Sequence, residues 1–502
     1  MSYLTQRGLV ILKDTTFDDK IREIKNDLTV KATVQSSYSK GSMFNIYAEN
    51  KNKLYVPKWY GISKFLDNET PKVDKTPEGD KIKVKFTGTL RDNQLEPVEV
   101  TRKAFKDRKR RGGILALAAG FGKTTISLYL VSKLRRKTIV LVHKEFLMEQ
   151  WISRIKQFLP TARIGKIQGK VFDIANKDIV LGMLQTVSQK DFGINAFESF
   201  GLILVDECHH TGSEVFSRAL FKLGTKYRLG LSATPERPDG LTKVFKWHLG
   251  EILFQISQKP KGLTPDAVVY KFNGNGVGFN KEIRNVMGEK NIPLMITEIT
   301  KNRQRNDFII SLISKYLNEK TMVENVSHGR HILVLSERVN HLEILKETFD
   351  SLFKGMYKSS LYIGKTKQKE REESEESDVI FATISLVSEG FDNPKLNTLL
   401  FACVNGGPIV NKPGSENQMD QVTGRIFRKY HNVLVPVIID MSDQFSLFKS
   451  QGSRRQAYYT RKGFNVSSVK VTTDTGQVVV KEPKKAKEKK EKIQKKFTEF
   501  IL

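Results

Sequence analysis

The sequence predicts an α/β chain made of two tandem units, each a mainly parallel sheet covered by helices. Short apolar runs alternate with stretches of helical spacing, first before and then after a glycine-rich connector. No repeat with a period of roughly 20 to 50 residues interrupts the pattern, which excludes a solenoid. The 502 residues also exceed what a single core accommodates, domains usually running to roughly 100 to 200 residues.

In the first unit, residues 90–258, the runs "RGGILALA", "KTIVLVH", "KDIVLGM", "FGLILVDE" and "KYRLGLSAT" read as buried strands. The stretch "FLMEQWISRIKQFL" lies between two of them and carries the apolar spacing of a helix. The second unit, residues 299–470, repeats the pattern with "RHILVLSE", "SDVIFAT", "LNTLLFA" and "NVLVPVIID". Residues 259–298 are expected to connect the two, with "GNGVG" a plain loop because it lacks a lysine and a following helix. Residues 1–89 carry scattered, β-leaning runs such as "KLYVPKWYGI" and are expected to form a small accessory domain. Residues 471–502 form a basic tail, expected to be disordered because it holds too little apolar surface to fold.

Lysine and arginine number 84 against 55 acidic residues, a formal net charge of +29, which points to a polyanionic partner. Nucleic acid is favoured over a membrane, since no run approaches the roughly 20 apolar residues of a spanning helix. The beginning, "MSYLTQRGLVILKDTTF", has no signal-peptide layout, so an intracellular protein is expected. Only Cys208 and Cys403 are present, too few for a disulfide framework or a cysteine-rich zinc site. The sequons at Asn325 and Asn465 are accordingly read as chance matches.

The stretch "LALAAGFGKTTISLYL", residues 115–130, holds the chemistry. A strand running to Ala118, a turn through Gly120, Phe121 and Gly122, and a helix opening on Lys123 and Thr124 make a phosphate-binding loop. The glycines let backbone N–H groups converge on phosphate oxygens, Lys123 reaches the β- and γ-phosphates, and the Thr124 hydroxyl ligates Mg²⁺. Lys123 is therefore expected to be exposed, with the nucleotide as its partner. Leu117 stands where the full pattern has its first glycine.

Downstream, "LILVDECHH" ends an apolar strand on Asp206 and Glu207, two carboxylates at the carboxyl edge of the same sheet. Asp206 would hold Mg²⁺ and Glu207 would polarise the attacking water. His209 and His210 lack the neighbouring ligands that a metal site needs. Ser232, Ala233 and Thr234 follow another strand and offer small hydroxyls able to sense the acid pair. In "QVTGRIFRK", Arg425 and Arg428 stand three apart on one helix face, as two arginine fingers would.

In this order the motifs resemble those of the superfamily 2 helicases, whose core is two RecA-like domains. The resemblance implies that Gln94 in "LRDNQ" reads adenine with Arg91 nearby. It puts Gly120, Gly122, Lys123, Thr124 and Thr125 in motif I, Asp206 to His209 in motif II and Ser232 to Thr234 in motif III, with His209, Ser232 and Thr234 coupling hydrolysis to motion. In "ATISLVSEGFD" it implies strand contact by Thr383 and nucleotide contact by Gly390 and Asp392. Gln421, Gly424, Arg425 and Arg428 match motif VI, and Gln185 and Thr186 in "MLQTV" would touch phosphates of the track. The stretches "VLVHKEFLMEQW" and "DMSDQFSLFKSQGSRRQAYY" are similar to the branch that holds the xeroderma pigmentosum B helicase, phage branch-migration helicases and the transcript-release helicases of large DNA viruses, the viral members most of all. The family implies ATP and Mg²⁺ as cofactors and translocation on DNA, with transcript release, polymerase displacement or action on RNA as alternatives.

Contacts to such a track need no sequence preference, because phosphates are what every strand shares. Three basic stretches are candidates: Lys106 to Arg111, "RRK" at Arg135 to Lys137, and the lysine-rich tail, each equally readable as a solvated face. At the end of the tail, Gln494, Phe497, Phe500 and Ile501 have the spacing of peptides that dock on sliding clamps; the other reading is an apolar end folded back on the protein.

Overall fold

The structure, a computed structural model, describes residues 2–481 apart from 14–17, 32–42, 67, 70, 110, 119, 194, 210–212, 234–235, 237–239, 257–263, 280, 324–325, 367–369, 371–372, 392, 404–405, 407–415, 428–432 and 475–476. The chain divides into two compact units, Met1–Gln258 and Lys259–Leu502. Among the described residues no helix is long and apolar enough to cross a membrane.

The first unit holds an eight-stranded sheet in the order Val171–Asp173, Ile164–Gln168, Ile179–Met183, Thr138–Val142, Leu202–Val205, Tyr227–Ser232, Gly112–Leu117 and Ile252–Ile256. All neighbours are parallel except the first pair. Gly112–Leu117, Thr138–Val142 and Leu202–Val205 are buried throughout, as strands covered on both faces must be. One face packs Ile126, Leu130, Met148, Trp151 and Ile155 from the helices Lys123–Leu134 and Glu145–Phe158. The other packs Val187, Phe216, Leu220 and Phe245.

The segment before this sheet contains a four-stranded antiparallel sheet, in the order Ser2–Thr5, Gly8–Leu12, Lys53–Val56 and Ala48–Glu49, with the helix Asp18–Asp27. Its core includes Leu241 and Val244 of the helix Thr242–Leu249 and the residue before it, so it shares apolar contacts with the α/β layer. Ile82 and Val84 belong to the core of the larger sheet. The accessory segment is thus fused to the first unit, a consequence of apolar side chains whose partners lie far along the chain.

The second unit has the order Ser359–Tyr362, Val379–Thr383, Ile332–Ser336, Thr398–Cys403, Val437–Asp443, Asp266–Asn273, Asn465–Asp474 and Gln477–Lys481. Only the last pair is antiparallel. Two expectations change here. Asp266–Asn273, assigned to the connector, is an interior strand whose burial comes from pairing with Val437–Asp443 and Asn465–Asp474. Residues 471–474 and 477–481, assigned to the disordered tail, finish one strand and add another, because β-branched residues recur in both and pair antiparallel. The "GNGVG" stretch is a loop, held by Asn302 Nδ2 donating to the carbonyls of Asn275 and Val277 at 2.9 Å each.

Candidate active site

The strand Gly112–Leu117 delivers the chain to the carboxyl edge of the first sheet, where Gly120 (φ 80°) and Gly122 (φ 95°) turn it into the helix Lys123–Leu134. Left-handed backbone is why glycine stands at both positions. Turns of this kind aim backbone N–H groups into an anion-binding concavity, and the helix start adds partial positive charge. Thr124 and Thr125 sit in the first helical turn, half-buried.

Arg91 and Gln94 brace the loop from outside. Arg91 Nη2 donates to the carbonyls of Gly120 (3.1 Å) and Phe121 (2.5 Å), and Gln94 Nε2 donates to Phe121 O at 2.8 Å. The Gln94 Oε1 accepts from Arg91 N at 3.0 Å and so caps the helix Asp92–Lys106. Gln94 is 2% exposed. Its amide in this structure is engaged with the loop and its own helix cap.

A Cβ on residue 122 would fall 2.2 Å from Gln94 Nε2 and 3.1 Å from Arg91 Nη2. We expect Gly122→Ala to weaken ATP binding by about tenfold or more, because it combines a left-handed strain of about 1–3 kcal/mol with a displaced brace. Fluorescent-nucleotide titration checks this against Gly355→Ala, which has φ 75° but nothing within 4 Å of the added carbon.

The strand Leu202–Val205 ends at the same edge, with Asp206 N donating to Leu141 O at 3.0 Å. Asp206 is buried; its Oδ2 accepts from the Trp151 indole at 2.7 Å and its Oδ1 from Glu207 N at 3.0 Å. Burial first, and then the adjacent Glu207 carboxylate, push the Asp206 carboxyl up to about 6. Glu207 itself takes a left-handed backbone, φ 42°, rare for a residue with a Cβ.

Glu207 Oε1 meets Lys123 Nζ at 2.5 Å, and the two side chains are each 13% exposed. The lysine expected to be exposed is therefore largely covered, because the acid pair lies within its reach. The other Glu207 oxygen stands 3.5 Å from His209 Nδ1 and accepts from Ala233 N at 3.4 Å. Ser232 Oγ lies 2.8 Å from the same His209 nitrogen. Lys123, Glu207, His209 and Ser232 thus form one connected polar row, whereas Thr234 and His210 lie outside the described residues.

Trp151 was not among the residues singled out from sequence. A buried indole needs an acceptor for its N–H, and the "EQW" of an amphipathic helix one strand away from the acid pair was the available signal. In the "RRK" stretch Arg135 is exposed, and the other two side chains have partners within the unit. Arg136 pairs with Glu78 at 3.2 Å and donates to Gly79 O, and buried Lys137 donates to Ile174 O at 2.8 Å. Arg111 pairs with Asp74 at 3.1 Å, leaving Arg108 and Lys109 exposed.

Gln185 and Thr186 open the short helix Leu184–Gln189 at the carboxyl end of Ile179–Met183. Gln185 is exposed, with Nε2 donating to His143 O at 3.1 Å, and Thr186 Oγ1 accepts from Gly169 N at 3.1 Å. Lys222 fixes that helix from behind by donating to the carbonyls of Val187, Ser188 and Lys190.

In the second unit, Thr383 ends the strand next to the sheet's edge and is buried, and Gly390 closes the helix Ile384–Gly390. Gln421 lies on the helix Asn417–Thr423, but Arg425 falls on the 3₁₀ turn Gly424–Phe427 that follows, where the poor helix former Gly424 ends the α-helix. Both side chains are buried. Tyr458 and Lys462 reach Asp420 at 2.7 Å each, so the helix Ser446–Arg461 and the residue after it hold this segment in place. Asp392 and Arg428 lie outside the described residues, as do Gln494, Phe497, Phe500 and Ile501.

A phosphate loop and an acid pair on one sheet edge, with a second parallel-sheet unit downstream, define a two-unit P-loop ATPase. The family model described as type III restriction enzyme, res subunit, matches residues 87–237. A protein of Acanthamoeba polyphaga mimivirus named as an ATP-dependent RNA helicase is 30% identical over 485 residues, covering 94% of this chain and 88% of the relative. One of Escherichia phage T5 named as a helicase is 26% identical, covering 74% of this chain and 78% of its own length. Among solved structures, the fragment of an HsdR subunit of a type I restriction enzyme from Vibrio vulnificus YJ016 shares the fold with a TM-score of 0.52 at 16% identity, covering 78% of this chain and 71% of that one. The chain belongs to the superfamily 2 helicases, in the branch found in phages and large DNA viruses. It is a helicase-type, nucleic-acid-dependent ATPase.

Proposed function

We propose that this protein is a DNA motor that couples ATP hydrolysis to movement along DNA and to unwinding or remodelling it. The convergence of Lys123, Asp206 and Glu207 beside the Gly120–Gly122 turn carries the reading. In it Lys123 moves from Glu207 to the β- and γ-phosphates, and Glu207, once released, orients the attacking water. The row through His209 and Ser232 relays occupancy of the site, together with Thr234. Arg425 and Arg428 act as arginine fingers beside Gln421, Gly390 and Asp392 contact nucleotide, and Arg91 with Gln94 reads adenine.

The oxygen donors Thr124 and Asp206 suit Mg²⁺, a hard cation, and the left-handed Gly120 and Gly122 ahead of the helix start at Lys123 suit a phosphate chain. When bound, the ion neutralises charge on the phosphates. Asp206 must be ionised to hold it, so we expect Mg²⁺ affinity in the presence of a nucleotide analogue to fall about tenfold per pH unit below about pH 6. Mg²⁺ titrations between pH 5 and 7.5 read this directly. The stability effect has the opposite slope. The folded-state value lies above the unfolded value of about 3.9, so the contribution is full below pH 4 and is lost as pH rises to about 6.

The net charge of +29 supports a polyanionic track, with Gln185, Thr186 and Thr383 among its contacts. DNA is favoured by the glutamine that opens motif VI and by "DECH" in place of "DEAD". The name of the mimivirus relative supports RNA as the second reading. ATP hydrolysis measured with no polymer, single-stranded DNA, forked DNA and RNA, with Lys123→Ala as control, separates these. Stimulation by RNA alone would overturn the DNA reading, and none by any polymer would overturn the motor. We further propose an intracellular site of action and a sliding-clamp partner for Gln494, Phe497, Phe500 and Ile501; clamp binding unchanged on deletion of the last nine residues would refute the latter.

A further inference from the structure

Between the strand Asp266–Asn273 and the helix Ile292–Thr300 of the second unit, the chain builds a small hairpin with an apolar tip. Arg284 and Lys290 face each other in an antiparallel bridge. Asn285 N donates to Glu289 O at 2.8 Å, and Asn291 N to Ile283 O at 2.8 Å. The Asn285 side chain closes the turn, its Oδ1 accepting from the N–H groups of Met287 and Glu289 at 3.0 Å each. Gly288 supplies the left-handed residue, φ 79°, and Arg284 Nη1 donates to its carbonyl at 2.7 Å.

The base is tied down equally well. Glu282 pairs with Lys290 at 2.7 Å, Lys290 also donates to Ser446 Oγ at 3.0 Å, and Ser446 Oγ donates to Glu282. Ile283 packs against the core of the unit. Turn chemistry thus accounts for Asn285 and Gly288. It places no demand on the two residues between them, yet those are Val286 and Met287, 104% and 74% exposed. Leu294, 50% exposed, continues the apolar surface on the adjoining helix.

The location says what this tip meets. Asp266–Asn273 runs parallel to its neighbours, so its carboxyl end opens on the same edge as Thr383. Ser336 is in register with Thr383, and Arg338, two residues beyond it, donates to Pro293 O at 3.1 Å. The hairpin is therefore linked by one hydrogen-bonded step to the edge assigned above to the track. Around the tip Glu282 pairs with Arg284 at 2.9 Å as well as with Lys290 at 2.7 Å, so the hairpin is close to neutral and what it presents is its apolar end.

We propose that Val286 and Met287 form a wedge that stacks against the terminal base pair where duplex meets single strand. The inference rests on the motor reading. Apolar side chains inserted at base steps unstack them at a cost of a few kcal/mol, which suits a rigid mount better than a mobile loop. The wedge would not track phosphates; it would mark the junction.

The test uses the full chain and the double variant Val286→Ser, Met287→Ser, both exposed positions whose change leaves the core intact. A forked DNA carries 2-aminopurine in the first base pair of the duplex. Saturating wild-type protein should raise its fluorescence about twofold or more through unstacking, and the variant should bind the fork within about twofold of wild type without that rise. Fork unwinding by the variant should fall about tenfold, with ATPase stimulated by single-stranded DNA within about twofold of wild type. A wild-type rise that persists in the variant, or no rise with wild type bound, overturns the wedge. So does an equal loss of single-strand-stimulated ATPase, which would make the tip an ordinary track contact. Absence of polymer-stimulated ATPase in the wild type would instead refute the motor reading, which the fluorescence arm does not measure.

Discussion

Replacing Glu207 with glutamine is expected to lower the kcat of nucleic-acid-stimulated ATP hydrolysis by about 10² to 10³-fold while leaving nucleotide bound as well as before, or better. The side chain keeps its shape, so the neighbours at Lys123, His209 and Ala233 stay in place. What it loses is the negative charge that, in the proposed function, polarises water and competes with phosphate for Lys123. Lys123→Ala separates these roles, because it removes the proposed phosphate ligand and should raise KM as well as lower kcat. Steady-state kinetics on both variants, with equilibrium nucleotide binding alongside, checks the pattern. A Glu207→Gln variant with near-wild-type kcat would remove this residue from the chemistry.

The largest stability effect is expected in the second unit, at Arg305. This guanidinium is fully buried, donates to both Asp443 oxygens at 2.7 and 2.9 Å, and reaches Ala402 O as well. It joins the helix Arg303–Leu317 to two strand ends. Arg305→Met should destabilise the unit by about 3–5 kcal/mol, because the buried Asp443 loses the guanidinium that both its oxygens accept from. Adding Asp443→Leu should recover a large part of that loss, since the orphaned carboxylate, more than the missing attraction, is the penalty. Urea unfolding followed by a probe in the second unit distinguishes the two. If the double variant is as unstable as the sum of the singles, desolvation is not the dominant cost.

The alternation of apolar runs with helices made both parallel sheets legible, because a strand covered on both faces must be apolar throughout and a crossover demands a helix. The strand Asp266–Asn273 escaped notice because its partners lie almost two hundred residues downstream, as the pairing of Asp266 with Asn465 shows. Pairing of that kind leaves no local mark. The phosphate loop and the acid pair were legible as residue types at fixed spacing. The indole of Trp151 on Asp206 and the brace from Arg91 were not, because each is a contact between segments far apart in the chain, made by a side chain with an ordinary local role.

One contact has a meaning beyond catalysis. Lys123 and Glu207, proposed above to recruit the fuel and to spend it, are each other's counterion in this structure. On those proposed roles, arrival of a triphosphate would break that partnership from one side, so that capture and arming would become a single event. A nucleotide too short to draw Lys123 away would leave the base occupied, and the engine would idle without consuming what it holds.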